Sequence, residues 1–294
     1  MRRRGFCWHI TECAPEGMAD DVARRFNYAV FSARTGNIYT PTLLKQWLDW
    51  SEDHTLIPDE IWTDPVSKRV YDPFRPTIEP EGFMSAAELK NSRHQSINSF
   101  LNSVEQADVF VFTLGLTERW VNRIHNYEYP ICPGTAAGEF QPDLHQFENL
   151  NVFSATDALV KAIETVNTIN PKVRVILTVS PVPLVATATD EHVVVATMYS
   201  KSVLRAAAQE VVNRSENVHY FPSYEIFNSP AFEGVFFEPN KRSVSLHGVE
   251  YAMNEFFRPF PEFTRKKSES SNKSDDRDAE ICDEVLLEAF SESS

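Results

Sequence analysis

Three places in this chain of 294 residues put hydroxyls and carboxylates directly behind an apolar run. Gly115-Leu116-Thr117-Glu118 follows the run Val109 to Leu114, Ser180 follows Val173 to Val179, and Ser223-Tyr224-Glu225 comes just after Val218 to Phe221. A Ser or Thr hydroxyl attacks an acyl carbon when a base takes its proton, and nearby donors steady the oxyanion that develops. The same residue types cap helices, so each alone reads equally well as a structural fixture. Three together point to a site. His247, on the loop before the last helix, is the histidine best placed to act as base if a third group orients it, and a solvent-facing histidine at a helix start is the alternative. His125, His145 and His219 lie near loops or strand ends as further candidates. Lys201 and Arg205 stand four apart on one helical face beside Tyr199 and Ser200, where they would hold an anionic or acyl substrate or simply meet solvent.

Other chemistries have less to stand on. Cys7, His9, Glu12 and Cys13 are close in sequence but lack the paired Cys-x-x-Cys spacing of a zinc site, so no metal is expected. The nine glycines are scattered, and neither GxGxxG nor GxxxxGK[ST] occurs, so no nucleotide and no other cofactor is expected. With 28 basic against 42 acidic side chains the net charge is -14, which repels phosphate backbones and anionic lipid and excludes nucleic acid as a partner. There is no secretory signal and no apolar run long enough to span a bilayer, and with only four cysteines a reduced, cytoplasmic setting is expected.

The elements that must position these residues follow from hydrophobic pattern. The run VFVFTL shows no polar alternation and reads as a strand buried on both faces of a parallel sheet, as does VRVILTV at 173 to 179; Val218 to Phe221 makes a short third. Alternation of Phe6, Trp8 and Ile10 predicts another strand near 7 to 11. Helices are expected over 17 to 31, over LLKQWLDW after Thr42, from Ser85 to Gln106, over 155 to 169 and 193 to 213, and from Gly248 to Phe257. Pro58, Pro65, Pro73, Pro76 and Pro80 make 56 to 84 an ordered loop with one hairpin, and 131 to 151 reads as a second irregular segment. Helices alternating with buried strands make an α/β fold over residues 1 to 263, followed by a disordered acidic Ser-rich tail over 264 to 294. Open α/β sheets bind ligands at the carboxyl edge, so Thr117, Glu118, Ser180 and Glu225 are expected around one cleft there.

The blocks FSARTGNIYT, TPTLLKQWL, DPFRPTIEPEGF, FTLGLTERW, CPGTAAGEF, LTVSPVPLVAT, YSKSVLRAAA and YFPSYEI resemble those of the GSCFA family, in the same order, over about residues 5 to 260. That family resembles the SGNH hydrolases, which implies a three-layer α/β/α sandwich with a mainly parallel sheet and an ester hydrolase or acyltransferase acting on small-molecule or carbohydrate esters. It also implies that Arg34, Asn37 and Tyr39 border the cleft, with Gly115, Ser180, Tyr199, Ser200, Lys201, Tyr224, Glu225 and Arg242 around the substrate and Thr117 and Glu118 in the oxyanion region. Three departures accompany the resemblance. Nothing matches the Gly-Ser-Cys-Phe-Ala segment that would hold the nucleophile upstream of Gly5, so the family's first strand is expected to be missing. Thr117 stands where Asn would, and the expected Asp-x-x-His aligns with Asn240-Lys241-Arg242-Ser243. A non-catalytic binding or scaffold module on the same fold is therefore the alternative, and nothing in the sequence fixes an oligomeric state.

Overall fold

A computed structural model of the chain describes residues 7–258; the expected acidic tail and the first six residues lie outside them. In chain order the elements are α1 (Asp20–Arg25), α2 (Pro41–Glu52), β1 (Trp62–Thr63), β2 (Val70–Tyr71), α3 (Ala86–Glu105), β3 (Val109–Leu114), β4 (Glu118–Asn122), β5 (Glu128–Tyr129) and β6 (His145–Asn149). They continue with α4 (Val152–Ile169), β7 (Arg174–Val179), α5 (Val193–Arg214), β8 (Val218–Phe221), α6 (Ser223–Asn228) and α7 (Leu246–Phe257). The fold is α/β. Its parallel sheet has the order β3-β7-β8, and two small antiparallel sheets have the orders β1-β2 and β5-β4-β6.

The chain divides into two compact units. The larger comprises His9–Leu177 and Leu184–Tyr220. In it Arg174 N donates to Asp108 O at 3.1 Å and Val175 N to Asn217 O at 2.9 Å, tying the starts of the parallel strands together. Its helices start where sequence chemistry allows. The Thr40 hydroxyl accepts from Leu43 N ahead of Pro41, the Ser85 hydroxyl accepts from Glu88 N, and Asn151 with Ser154 makes a capping box on α4. Apolar faces then pack: Trp47 of α2 meets Phe100 of α3 edge-on at 5.9 Å between centroids, and Leu150 and Ala155 pack with Val203 and Ala207 of α5.

The described part of the smaller unit holds residues 7 and 8, Thr178–Pro183 and residues 221 to 258. Its core is Ile226, Phe227, Phe236 and Ala252, with Phe221, Phe232, Phe237, Val244 and Tyr251 packed around them.

Several expectations need correction. The segment 131 to 151 is not irregular throughout but carries β6 (His145–Asn149), and the helix expected after Thr42 starts at Pro41 with Thr40 as its cap. The segment 7 to 11 is not a strand: Thr11 N and Glu12 N both donate to Ser32 O, so a loop carbonyl takes the amides that a ladder would have used. The helix expected over 17 to 31 stops at Arg25, because Asn27 and Ala29 adopt left-handed backbone with φ of 58°. Strand β3 is not buried on both faces. Phe112 and Leu114 are buried, whereas Val111 and Thr113 are exposed, and β3 ends the strand order among the described residues.

Candidate functional site

In the larger unit, the end of β3 is held by three segments: the chain at Tyr39, helix α5 and the end of β6. A Cβ at Gly115 would lie 2.7 Å from Cδ1 of Tyr39, so only glycine allows the Tyr39 chain to approach. That approach lets the Tyr39 carbonyl accept from Gly115 N at 2.8 Å and from Leu116 N at 3.4 Å. From α5, Lys201 Nζ donates to Gly115 O at 2.7 Å, and Ser200 Oγ accepts from Thr117 N at 2.8 Å. Thr117 is fully buried; its hydroxyl donates to Asn149 Oδ1 of β6 at 2.6 Å and lies 3.2 Å from Ser200 Oγ. The Thr117 carbonyl accepts from Leu150 N at 2.9 Å.

Glu118 starts β4, and its carboxylate accepts from the Thr187 hydroxyl and from Ala188 N at 3.1 Å, pinning the segment after β7. Tyr199, 42% exposed, donates from its hydroxyl to Leu150 O at 3.4 Å. The structure thus brings Tyr39, Gly115, Thr117, Ser200 and Lys201 together. What it adds is Asn149, in a segment that reads as irregular, and Thr187. It also shows that the amides of Gly115, Leu116 and Thr117 already have acceptors inside the protein.

Arg34 lies in the same unit but not at that strand end's bonds. It is buried, and its guanidinium donates to Phe26 O at 2.8 Å, Ile78 O at 3.1 Å, Glu79 Oε1 at 2.8 Å and Tyr28 Oη at 3.3 Å. Its own amide donates to Glu12 Oε2 at 2.8 Å, which takes Glu12 out of any cluster with Cys7 and Cys13; both thiols are exposed. Asn37 is half-buried on the loop leading to Tyr39.

In the smaller unit Ser180 is buried and its hydroxyl accepts from Val182 N at 3.3 Å. Ser223 Oγ lies 2.6 Å from Thr178 Oγ1 and 2.8 Å from Val179 O. Tyr224 and Glu225 are half-buried on α6; burial pushes the Tyr224 hydroxyl pKa up, and the Glu225 charge adds to that. Arg242 sits in a turn in which its amide donates to Asn240 Oδ1 at 2.9 Å. His247 is exposed at the start of α7 with its ring 5.7 Å from that of Phe236.

Sequence reasoning missed the buried polar groups of the β5-β4-β6 sheet. Glu128 is buried on β5 and accepts from both Thr40 and Thr42, with Arg119 at 3.3 Å. Burial raises its pKa, more than those partners lower it. On the neighbouring residues, the hydroxyls of Tyr127 and Tyr129 both donate to the Glu60 carboxylate, which also accepts from Trp62 Nε1 at 2.9 Å. Asn122 Nδ2 donates to both phenol oxygens, at 2.9 and 3.1 Å. The tripeptide Tyr127-Glu128-Tyr129 was the one available signal, an alternation too short to mark a strand.

Across residues 15–256 the chain matches the GSCFA family. It belongs to that family. No curated protein and no solved structure matches it. Among the described residues no three metal-ligating side chains lie together, and no helix is long and apolar enough to cross a membrane.

Proposed function

We propose that this GSCFA chain follows the three-layer α/β/α plan of SGNH hydrolases and serves acyl-ester chemistry, in the lineage of ester hydrolases and acyltransferases, on a small-molecule or carbohydrate ester. The described residues supply the binding half of that chemistry and not the nucleophile or the oxyanion donors at the end of β3. One observation carries this: the three amides of residues 115 to 117 donate to Tyr39 O and Ser200 Oγ. An oxyanion hole needs donors aimed at the developing charge, and donors already bonded within the protein must first break those bonds. Ser200, Lys201 and Asn149 therefore act as a rigid ledge beneath the ligand. The free thiols of Cys7, Cys13 and Cys132 fit a reducing, cytoplasmic setting.

The test has two arms. Incubation with an activated aryl ester and with a serine-directed fluorophosphonate should give neither turnover nor label. Stoichiometric labelling of Ser180 or Ser223 with turnover would place a nucleophile within this chain and overturn the binding-half reading. Affinity electrophoresis through an acetylated polysaccharide should retard the chain relative to the deacetylated polymer. Equal mobility in both would sink the carbohydrate-ester substrate and leave the scaffold reading.

A further inference from the structure

The connection between β5 and β6, residues 130 to 144, lies over an aromatic floor within the larger unit. Gly138 takes φ of 74°, and a Cβ there would lie 2.5 Å from Cδ2 of Trp62, so the strap passes against the indole with no room for a side chain. Phe140 meets Trp120 edge-on, with 5.4 Å between centroids. Below these rings, Trp120 contacts Phe147 at 5.4 Å and Trp62 contacts Tyr129 at 5.8 Å.

One histidine fastens the end of this strap. Gln141 N donates to His145 Nδ1 at 3.0 Å, while Gln141 O accepts from Leu144 N at 3.0 Å and from His145 N at 2.8 Å. Because Nδ1 accepts, the neutral ring carries its proton on Nε2. That nitrogen is buried and has no hydrogen-bond partner among the described residues, and the residue as a whole is 3% exposed. A second proton can enter only at Nδ1, where the Gln141 N–H already points. The imidazolium would set two N–H groups against each other inside an aromatic enclosure.

The groups around the ring do not relieve this. Among the described residues Glu60 is the carboxylate that attracts a proton to His145, and its oxygens are already taken by Trp62, Tyr127 and Tyr129. Tyr129 of β5 stands edge-on to the imidazole at 5.3 Å. On β4, the neutral Asn122 is the register partner of His145. Arg123, just beyond it, holds the strap through its backbone amide to Leu144 O at 2.8 Å and its side chain to Pro142 O at 3.4 Å, a positive neighbour. His125 stacks on Tyr127 at 5.8 Å, and Glu139 and Asp143 lie on the strap itself. Burial sets the balance and holds the His145 pKa below the ordinary imidazole value.

We propose that residues 130 to 144 form a proton-released lid: protonation of His145 at Nδ1 breaks its bond to the Gln141 amide and frees the strap from the Trp62 and Trp120 floor. The proposal stands on geometry within one unit and does not depend on the ester reading.

Hydrogen exchange at the amides of Gln141, Leu144 and His145, corrected for intrinsic rates, tests it on the whole chain. Protection should fall about tenfold per pH unit below about 6.5, the ordinary imidazole value, until the depressed value is reached. In His145→Asn the side-chain oxygen can accept the same Gln141 N–H and does not titrate, so protection should be flat with pH. A flat wild-type profile, or an equally steep one in the variant, overturns the proposal. If the variant does not fold, nitrogen chemical shifts of the wild-type ring decide: an Nε2–H tautomer at neutral pH supports the latch, and an Nδ1–H tautomer refutes it.

Discussion

Asp72 is fully enclosed and accepts from Arg75 Nε at 2.9 Å, Arg93 Nε at 3.1 Å and Phe74 N at 3.0 Å. Burial alone would raise the Asp72 pKa, but the two guanidinium charges outweigh it and hold the carboxyl below the usual range. The guanidiniums are satisfied in turn: Arg75 reaches Ser96 Oγ and Ser92 Oγ, and Arg93 reaches Pro58 O and Glu60 O. Removing the charge of Asp72 strands two buried cations, so Asp72→Asn should cost about 3–5 kcal/mol, read as a lower urea midpoint at unchanged m. A shift below about 1 kcal/mol would show that water reaches the pair. Gly115→Ala tests the close approach at the β3 end. With Tyr39 atoms at 2.7, 3.1 and 3.3 Å from the new Cβ, the overlap should cost about 1–3 kcal/mol. In a Tyr39→Ala background the same change should cost much less, and additive losses would remove Tyr39 as the cause.

Among the elements, those legible in the sequence are the ones whose signals are local. Ser85 announces α3 because a hydroxyl before an apolar periodic run has one favoured use, whereas α4 starts at Val152 under the Asn151 cap, ahead of the 155 expected. VFVFTL and VRVILTV announce β3 and β7 as neighbours in one sheet, but apolar letters do not say whether a face is covered, and Val111 is exposed. The β5-β4-β6 sheet was illegible because three of its buried positions are polar: beside Val121 and Tyr129, Asn122, Glu128 and His145 sit where a hydrophobic pattern would need Val or Ile. Glu128 persists there through hydrogen bonds from Thr40 and Thr42, far off in sequence, whereas Asn122 and His145 are bonded locally, to Tyr127, Tyr129 and Gln141, in a pattern that apolar periodicity does not register. The candidate site divides in the same way. The resemblance groups Ser200 and Lys201 with Gly115 and Thr117, whereas Asn149 lies on β6, which no apolar pattern marks. Thr40 joins the two kinds of signal, since it caps α2 and also donates to Glu128. Thr40→Ala should cost about 1–2 kcal/mol, more than Thr42→Ala, which removes a Glu128 donor but leaves the cap on Leu43 N. Equal losses in thermal or urea unfolding would assign the effect to Glu128 alone.

For the whole molecule, three buried groups set opposing slopes of stability against pH. His145 is neutral when folded, with its pKa depressed, so stability is complete above about 6.5 and declines as pH falls below that. Glu128 runs the other way: its pKa is raised in the fold, so its cost is present at neutral pH and is relieved as pH falls through that raised value towards about 4.3. Asp72 is depressed, so its contribution is complete above about 3.9 and is lost as pH falls through its folded value. The net charge of -14 shrinks towards zero near the isoelectric point of about 5.0, and the loss of self-repulsion adds a gentle gain on acidification. Unfolding free energy should therefore fall little between neutral pH and about 4.5, where His145 works against Glu128 and the shrinking charge, and then drop steeply below about 3.9. Single substitutions separate the terms, because the background charge effect is nearly common to all. In urea titrations at successive pH values, His145→Asn should turn the shallow region into a rise on acidification, and Glu128→Gln should turn it into a continuous fall. If both variants follow the wild-type slope, neither group is as dry as its contacts imply, and the acid limb alone, carried by Asp72 between its two arginines, would remain as the signature of the buried charge network.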